Sequence, residues 1–126
     1  MAPTVLVVDD SSMIRMQVCR TLQSVGYETV QAADGQDAWD RLAGGLHPDL
    51  IVCDVNMPRM NGLELLEVIQ EHRDELPPLT IVMLTTEGQP DTIRAARQLG
   101  AKAWLVKPLR PDLLLSAVAS LVDKAA

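Results

Sequence analysis

The chain has 126 residues, of which 48% are hydrophobic, and it carries a formal net charge of −6. This length suits one domain with a sizeable core, and the hydrophobic content excludes a disordered chain. The acidic balance argues against nucleic acid as a partner, and the short apolar runs argue against insertion into a membrane.

The apolar pattern alternates between strand and helix along the whole chain. In chain order the predicted elements are a strand at Thr4–Val8, a helix from Ser11 or Ser12 to about Val25, a strand at Tyr27–Ala32, a helix at Gln36–Leu42, a strand at Leu50–Cys53, a helix at Leu63–His72, a strand at Leu79–Leu84, a helix at Asp91–Leu99, a strand at Ala103–Val106 and a helix from Pro111 to about Val122. This alternation predicts one doubly wound α/β domain with a parallel five-stranded sheet covered on both faces.

Helical spacing also predicts which side chains of two helices face inward. In the first helix these are Ile14, Val18, Leu22 and Val25. In the third they are Leu63, Leu66 and either Ile69 or Val68. The Asp34-Gly35 pair between the second strand and the second helix reads as a turn, and His72 as a solvated residue.

Two cysteines, Cys19 and Cys53, lie on a predicted helix and a predicted buried strand. They lack the spacing of a disulfide framework or of a metal site, which suggests reduced, packed thiols. The start of the chain lacks the basic residues and long apolar core of a signal peptide. We therefore expect a cytoplasmic protein.

Three aspartates follow the two most continuously apolar strands, which we place at the centre of the sheet. Asp9 and Asp10 end the first strand and Asp54 ends the third. In open parallel sheets a site forms at the carboxyl ends of strands, where the strand order reverses. Three carboxylates at that point would repel one another, and a hard cation such as Mg²⁺ resolves the repulsion.

Two further polar residues lie at the ends of the fourth and fifth strands. Thr85 follows the fourth strand, and Lys107, followed by Pro108, ends the fifth. A hydroxyl and an ammonium directed at the same edge of the sheet suit an oxyanion, most simply a phosphoryl group.

The polar residues at the strand ends, together with Met57-Pro58 and Asn61-Gly62, form a pattern that resembles the receiver domain of two-component response regulators. Among receiver domains, the pattern is most similar to the CheY-like, chemotaxis-type single-domain regulators. The resemblance extends from Val5 to the last helix, and it implies a flavodoxin-like sheet of order 2-1-3-4-5. The sequence ends just past the fifth predicted helix, at Lys124-Ala125-Ala126. We therefore expect residues 1–126 to form one stand-alone receiver domain without an effector domain, and we expect a monomer. A receiver excised from a larger regulator is the alternative.

The resemblance implies a role for each site residue. Asp54 would accept a phosphoryl group from a phosphohistidine on a sensor histidine kinase. Asp10, Asp54 and the backbone carbonyl of Asn56 would bind Mg²⁺ directly, and Asp9 would act through a metal-bound water. Lys107 and Thr85 would contact the phosphoryl group, and the Lys107–Pro108 peptide would be cis. Thr85 and Trp104 would form the switch, with Trp104 where the family often has Tyr or Phe.

A basic stretch between Gly88 and Pro111 holds five cations and one acid, a net charge of +4 in an acidic chain. It covers the fourth helix, the fifth strand and the start of the fifth helix, the face through which receivers usually signal. The output face proper is Arg94, Arg97, Lys102 and Trp104, and we expect it to bind an acidic segment of an output protein, such as a flagellar motor switch, in chemotaxis. Ordinary solvation of a helix is the simpler explanation of these charges.

Two functions of other classes fit the residues less well. A phosphohydrolase that forms an aspartyl phosphate needs a second acid two residues after its nucleophile, and Asn56 occupies that position. A flavin-binding electron carrier needs a phosphate loop after the first strand, where Asp9 and Asp10 lie instead. We therefore expect a signalling protein that catalyses only its own phosphotransfer and dephosphorylation.

Overall fold

Short β-branched and apolar runs form the strands, and capped amphipathic segments form the helices between them. The computed structural model describes the backbone of residues 2–125 and the side chains of residues 2–122. The elements are β1 (Thr4–Val8), α1 (Ser12–Gln23), β2 (Glu28–Ala32), α2 (Gly35–Ala43), β3 (Leu50–Cys53), α3 (Gly62–Glu71), a 3₁₀ turn (Arg73–Glu75), β4 (Ile81–Thr85), α4 (Pro90–Gln98), β5 (Ala101–Val106) and α5 (Pro111–Ala125).

The strands form one parallel sheet of order β2-β1-β3-β4-β5. This order confirms the predicted doubly wound, CheY-like α/β fold. β1 and β3 are central, and they pair in register from Val5 opposite Leu50 to Val8 opposite Cys53. The residues that follow these two strands are thereby brought side by side at one edge of the sheet.

The sheet separates two layers of apolar core. Alternate residues of β1 face opposite layers, with Leu6 and Val8 on one side and Val5 and Val7 on the other. The first layer packs against α2, α3 and α4, and the second against α1 and α5. Each fully buried Leu or Val side chain contributes roughly 1.5–3 kcal/mol of transfer free energy, so the sheet edge that carries the site rests on a rigid support.

Both cysteines are buried and free, as predicted. Cys53 lies in the layer of α2, α3 and α4, and Cys19 lies in the other layer. Burial, together with the nearby carboxylates of Asp54 and Asp9, raises the pKa of the Cys53 thiol. Cys53 is therefore a packed thiol beside the site.

Several predicted boundaries and faces are wrong in detail. α1 ends at Gln23, and Val25 is 54% exposed because the chain turns away there toward Gly26, whose φ is +95°. In α3, Leu66 and Ile69 are buried and Leu63 packs half-buried against the same layer, as predicted, but the prediction omits Leu65, which is buried as well.

The starts of β4 and β5 also differ from the prediction. β4 begins at Ile81 and not at Leu79, whereas β5 begins at Ala101 and not at Ala103. A register shift between Ile81 and Val82 allows Ala101 to pair with Ile81.

His72 is not the solvated residue that the sequence suggested. Its ring is half-buried with its centroid 4.7 Å from that of Trp39, and its Nδ1 lies 2.9 Å from the Val68 carbonyl oxygen. This contact joins the end of α3 to α2. Among the described residues, no helix combines the length and apolar character needed to cross a membrane.

Candidate functional site

The predicted carboxylates meet at the carboxyl edge of the sheet. Asp9 follows β1 and Asp54 follows β3. The Asp54 N–H donates to the carbonyl of Val8, the residue before Asp9, at 3.0 Å. One carboxylate oxygen from each of Asp9, Asp10 and Asp54 lies within 4.8 Å of the others. Asp9 and Asp54 are buried and Asp10 is exposed, so this cluster opens to solvent on the side of Asp10.

Lys107 neutralises part of this charge. Its Nζ donates to Asp9 Oδ2 and to Asp54 Oδ2, each at 2.8 Å. Burial tends to lower the pKa of Lys107, but the bonds to Asp54 and Asp9 outweigh burial and the pKa is raised. Burial raises the pKa of Asp9 despite the bond from Lys107. Lys107 is therefore held as a cation between two carboxylates.

The loop after β1 is fixed by contacts to its backbone and to Asp9. The Ser11 N–H donates to Asp9 Oδ1 at 2.9 Å, and Arg15 Nη1 donates to the Asp9 carbonyl at 2.7 Å. Ser11 also accepts from the Ile14 N–H as the N-cap of α1. These contacts hold Asp9 while Asp10 projects into solvent.

The loop after β3 lies tightly against Asp54. The Asn56 N–H donates to Asp54 Oδ1 at 3.3 Å, and the Gly62 N–H donates to the Val55 carbonyl at 2.8 Å. A Cβ on Gly62 would overlap the Asp54 backbone oxygen, so the close approach requires glycine. Asn61 and Glu64 then form a capping box that starts α3.

Thr85 and Trp104 are linked through the backbone of Glu87. The Thr85 side chain is fully buried, and its Oγ1 accepts from the Glu87 N–H at 3.1 Å. The half-buried Trp104 donates from Nε1 to the Glu87 carbonyl at 3.0 Å. One residue of the β4–α4 loop therefore contacts both predicted switch residues. The Lys107–Pro108 peptide is cis, as the resemblance implied.

The predicted output face lies on α4 and β5. Arg94, Arg97 and Lys102 are exposed, and Arg94 pairs with Asp91 at 3.2 Å. Arg97, Lys102, Ile93 and Trp104 line a small notch between the two elements. The basic output face is thus continuous with Trp104. Asp91 on the same helix partly neutralises the charge of Arg94.

Sequence reasoning missed one ion pair near the site. Asp34, which we had read as part of a turn, is the N-cap of α2, and Arg59 in the β3–α3 loop binds its carboxylate with two nitrogens. An aspartate immediately before a helix signals a cap. Its partner is 25 positions away in the chain, and no local pattern identifies such a partner.

Comparison with known protein families identifies the family of this chain. A family model described as the response regulator receiver domain matches residues 5–119. The chain belongs to the response regulator receiver domain family. Receiver domains take phosphoryl groups from histidine kinases, act on output partners and bind Mg²⁺ through acidic residues. The three clustered carboxylates fit such an ion, because Mg²⁺ prefers oxygen ligands and retains several waters.

The relatives of this receiver include proteins that the match covers almost entirely and one that it covers only in part. It is 37% identical over 110 residues to Chemotaxis protein CheY1 of Helicobacter pylori, covering 86% of this chain and 88% of that protein. It is 44% identical over 106 residues to Regulator of RpoS of Escherichia coli, covering 84% of this chain but 30% of the relative. The chain therefore spans less than a third of that relative's length.

Solved structures agree with the fold. The Vibrio cholerae chemotaxis protein CheY4 has a TM-score of 0.86 at 40% identity, over 96% of this chain and 99% of that one. A CheY-like receiver domain protein of Methanospirillum hungatei has a TM-score of 0.89 at 26% identity, over 99% and 97%.

Proposed function

We propose that this receiver is a phosphorylation-dependent switch in which Asp54 accepts the phosphoryl group. The observation that supports this most is the position of Lys107, whose ammonium bridges Asp54 and Asp9 at 2.8 Å beside a cluster of three carboxylates. A buried aspartate flanked by a cation and by further acids is costly as a structural device alone. The same arrangement suits the transfer of a group that carries several negative oxygens.

The proposed reaction is a displacement at phosphorus. A carboxylate oxygen of Asp54 attacks the phosphorus of a phosphohistidine on a sensor histidine kinase, forming a P–O bond as the P–N bond breaks. The products are an aspartyl phosphate and the kinase imidazole. Lys107 stays within reach of the transferred oxygens, and the Asn56 N–H orients the attacking carboxylate through Oδ1.

Mg²⁺, when bound, would offset the charge that gathers on the phosphoryl oxygens. Asp10, Asp54 and the Asn56 backbone carbonyl would hold it, with Asp9 acting through a water. Asp9 already accepts from Lys107 and from the Ser11 N–H, which suits a supporting role. Asp10 is the exposed carboxylate of the cluster, which suits a direct ligand.

The switch would pass from Thr85 to Trp104. In the unphosphorylated protein the Thr85 hydroxyl accepts a hydrogen bond from the Glu87 N–H at 3.1 Å. In the aspartyl phosphate, the hydroxyl would turn to the phosphoryl oxygens and this bond would break. The β4–α4 loop would then relax, and the Glu87 carbonyl would no longer hold the Trp104 indole. The indole would shift inward and reshape the face of α4 and β5, a change between two packings.

The output partner would dock on Arg94, Arg97, Lys102 and Trp104. These residues combine exposed cations with an aromatic ring beside a notch, and a partner segment with acidic residues and an apolar anchor complements them. CheY1 and CheY4 are chemotaxis proteins by name, so we propose chemotaxis as the pathway and a flagellar motor switch as the partner.

A second candidate is the receiver of a larger regulator. The 44% identity to Regulator of RpoS, of which the chain covers 30%, favours it. The two proposals differ in what the output face binds, and not in the chemistry at Asp54. That residues 1–126 act alone, as a monomer in the cytoplasm, stays a prediction.

A fluorescence experiment tests the coupled switch. Trp39 is replaced by Phe so that Trp104 alone reports, and the protein is treated with Mg²⁺ and a small phosphodonor such as acetyl phosphate. We expect Trp104 emission to change upon phosphorylation in the otherwise unaltered protein. Thr85→Ala should still be phosphorylated, as intact mass shows, but without that change. A flat signal from fully phosphorylated protein, or an unaltered change in Thr85→Ala, would contradict the Thr85–Trp104 coupling.

A further inference from the structure

Asp34 is a buried carboxylate that the proposed reaction does not use. Among the described residues, the buried polar or charged side chains are Asp9, Asp34, Asp54 and Thr85. Three of these belong to the site, whereas Asp34 lies at the start of α2. A buried carboxylate requires compensation from charge and hydrogen bonds.

The compensation comes from its own helix and from the loop that follows Asp54. Asp34 Oδ1 accepts from the Asp37 N–H at 2.8 Å, which caps α2. Arg59 donates from Nε to Oδ2 at 2.9 Å and from Nη2 to Oδ1 at 3.1 Å. A two-point pair of this kind fixes direction as well as distance.

The backbone at Arg59 indicates that the loop is held in place. Its φ is +63°, a left-handed conformation that non-glycine residues rarely adopt. Such a conformation persists where the surroundings impose it. A second anchor lies one residue further, where the Gly35 N–H donates to the Met60 carbonyl at 2.9 Å. A Cβ on Gly35 would overlap that carbonyl oxygen.

The same loop carries Asn56 to the site. Its ends are tied by the bond from the Gly62 N–H to the Val55 carbonyl, and its Asn56 N–H contacts Asp54 Oδ1. We propose that the Asp34–Arg59 pair is a positioning pair, which holds residues 55–61 so that Asn56 lies against Asp54 and the site binds its cation. The effect on the cation rests on the proposed function; the effect on the loop does not.

The first measurement needs no metal. Amide hydrogen exchange of residues 56–61 is compared in chelator between the unaltered protein, Arg59→Ala and Arg41→Ala. Arg41 is the matched control, because it lies on α2 and also pairs with an aspartate, Asp37. Both arginines are exposed, but the Asp37 side chain is 33% exposed and lies 3.3 Å from Arg41, whereas the Asp34 side chain is only 9% exposed. We expect exchange of the loop amides to rise about tenfold or more in Arg59→Ala, and to stay within about twofold in Arg41→Ala.

The second measurement titrates each protein with Mg²⁺ alone and follows the backbone amides of Asp10, Asp54 and Asn56 by NMR. Arg59→Ala should bind Mg²⁺ about tenfold more weakly, the low end of the loss when a supporting contact of a metal site is removed. Arg41→Ala should bind as the unaltered protein does.

Further variants separate the ion pair from backbone strain and from general destabilisation. Asp34→Asn keeps an oxygen for the helix cap but loses the charge. The double variant Asp34→Asn/Arg59→Ala should bind Mg²⁺ no more weakly than whichever of the two single variants binds it less tightly. Arg59→Gly removes the strain together with the pair, and it should open the loop as Arg59→Ala does.

Two results would contradict the proposal that the Asp34–Arg59 pair positions the loop. One is loop exchange in Arg59→Ala within about twofold of the unaltered protein, the margin set by the Arg41 control. The other is normal loop protection and Mg²⁺ affinity in Arg59→Gly. If the unaltered protein binds no Mg²⁺, the metal assignment of the proposed function is wrong. The exchange rates in chelator then still decide whether the pair holds the loop.

Discussion

Replacing Lys107 with alanine tests how far the site depends on a single cation. The Lys107 ammonium contacts Asp9 and Asp54 at 2.8 Å each, and side-chain exposures are 14% for Lys107, 4% for Asp9 and 7% for Asp54. In Lys107→Ala the two carboxylates remain adjacent, with Asp10 beside them, and they have lost their shared donor.

The expected loss of stability in Lys107→Ala follows from how deeply the ion pair is buried. Removing one partner of a buried ion pair costs about 3–5 kcal/mol, whereas exposed pairs contribute about 1 kcal/mol or less. The Lys107 site is nearly buried but opens to water at Asp10, so we expect a loss of about 3 kcal/mol. This is a large share of the roughly 5–15 kcal/mol by which a domain is stable.

Urea unfolding in the presence of a chelator measures the loss. With a slope of about 2 kcal/mol per molar, the midpoint should fall by roughly 1.5 M. Asp54→Asn in the Lys107→Ala background should regain part of the loss, because it removes one of the repelling charges. The control is Arg94→Ala, whose exposed partner is Asp91 and whose midpoint should barely move. A loss below about 0.5 kcal/mol in Lys107→Ala would refute the view that Lys107 neutralises a costly cluster.

Two further predictions concern the loops around the site. The bonds from Arg59 lower the pKa of Asp34. Its charged form therefore stabilises the fold above the ordinary pKa of 3.8, and this contribution is lost as pH falls through the lower folded value. The stability difference between the unaltered protein and Asp34→Asn should shrink toward acid in thermal unfolding, and a constant difference would contradict the assignment. Gly62→Ala should cost about 2 kcal/mol through overlap with the Asp54 backbone oxygen. Gly88→Ala, which meets open space, should be nearly neutral, and equal effects would refute the argument.

The fold, and the meeting of three aspartates with Lys107 at one edge of the sheet, were predictable because their signals are local. A continuous apolar run such as Leu50–Cys53 can be stable as a buried strand, and an aspartate directly after it must lie at the sheet edge. Alternation of such strands with helices leaves few topologies. The resemblance to receiver domains then predicted the strand order and the proposed role of each site residue. The spacing of residues in the sequence did not establish either by itself.

The remaining features depend on tertiary contacts. Nothing near Arg59 in the sequence indicates that it binds Asp34, since the pair forms only when α2 and the β3–α3 loop are packed together. The ends of β4 and β5 depend on the register shift at Ile81. Val25 fits the helical spacing of α1 but lies beyond the helix end, because the chain has already turned toward Gly26.

Phosphorylation at Asp54 is the central claim, and intact mass measurement tests it most directly. The unaltered protein, Asp54→Ala and Asp10→Ala are each incubated with acetyl phosphate and Mg²⁺, and in parallel with excess chelator. We predict that the unaltered protein gains the mass of one phosphoryl group with Mg²⁺ and not with chelator. Asp54→Ala and Asp10→Ala should gain none while circular dichroism shows both folded. A phosphoryl group on Asp54→Ala, or undiminished uptake by Asp10→Ala or in chelator, would contradict the account.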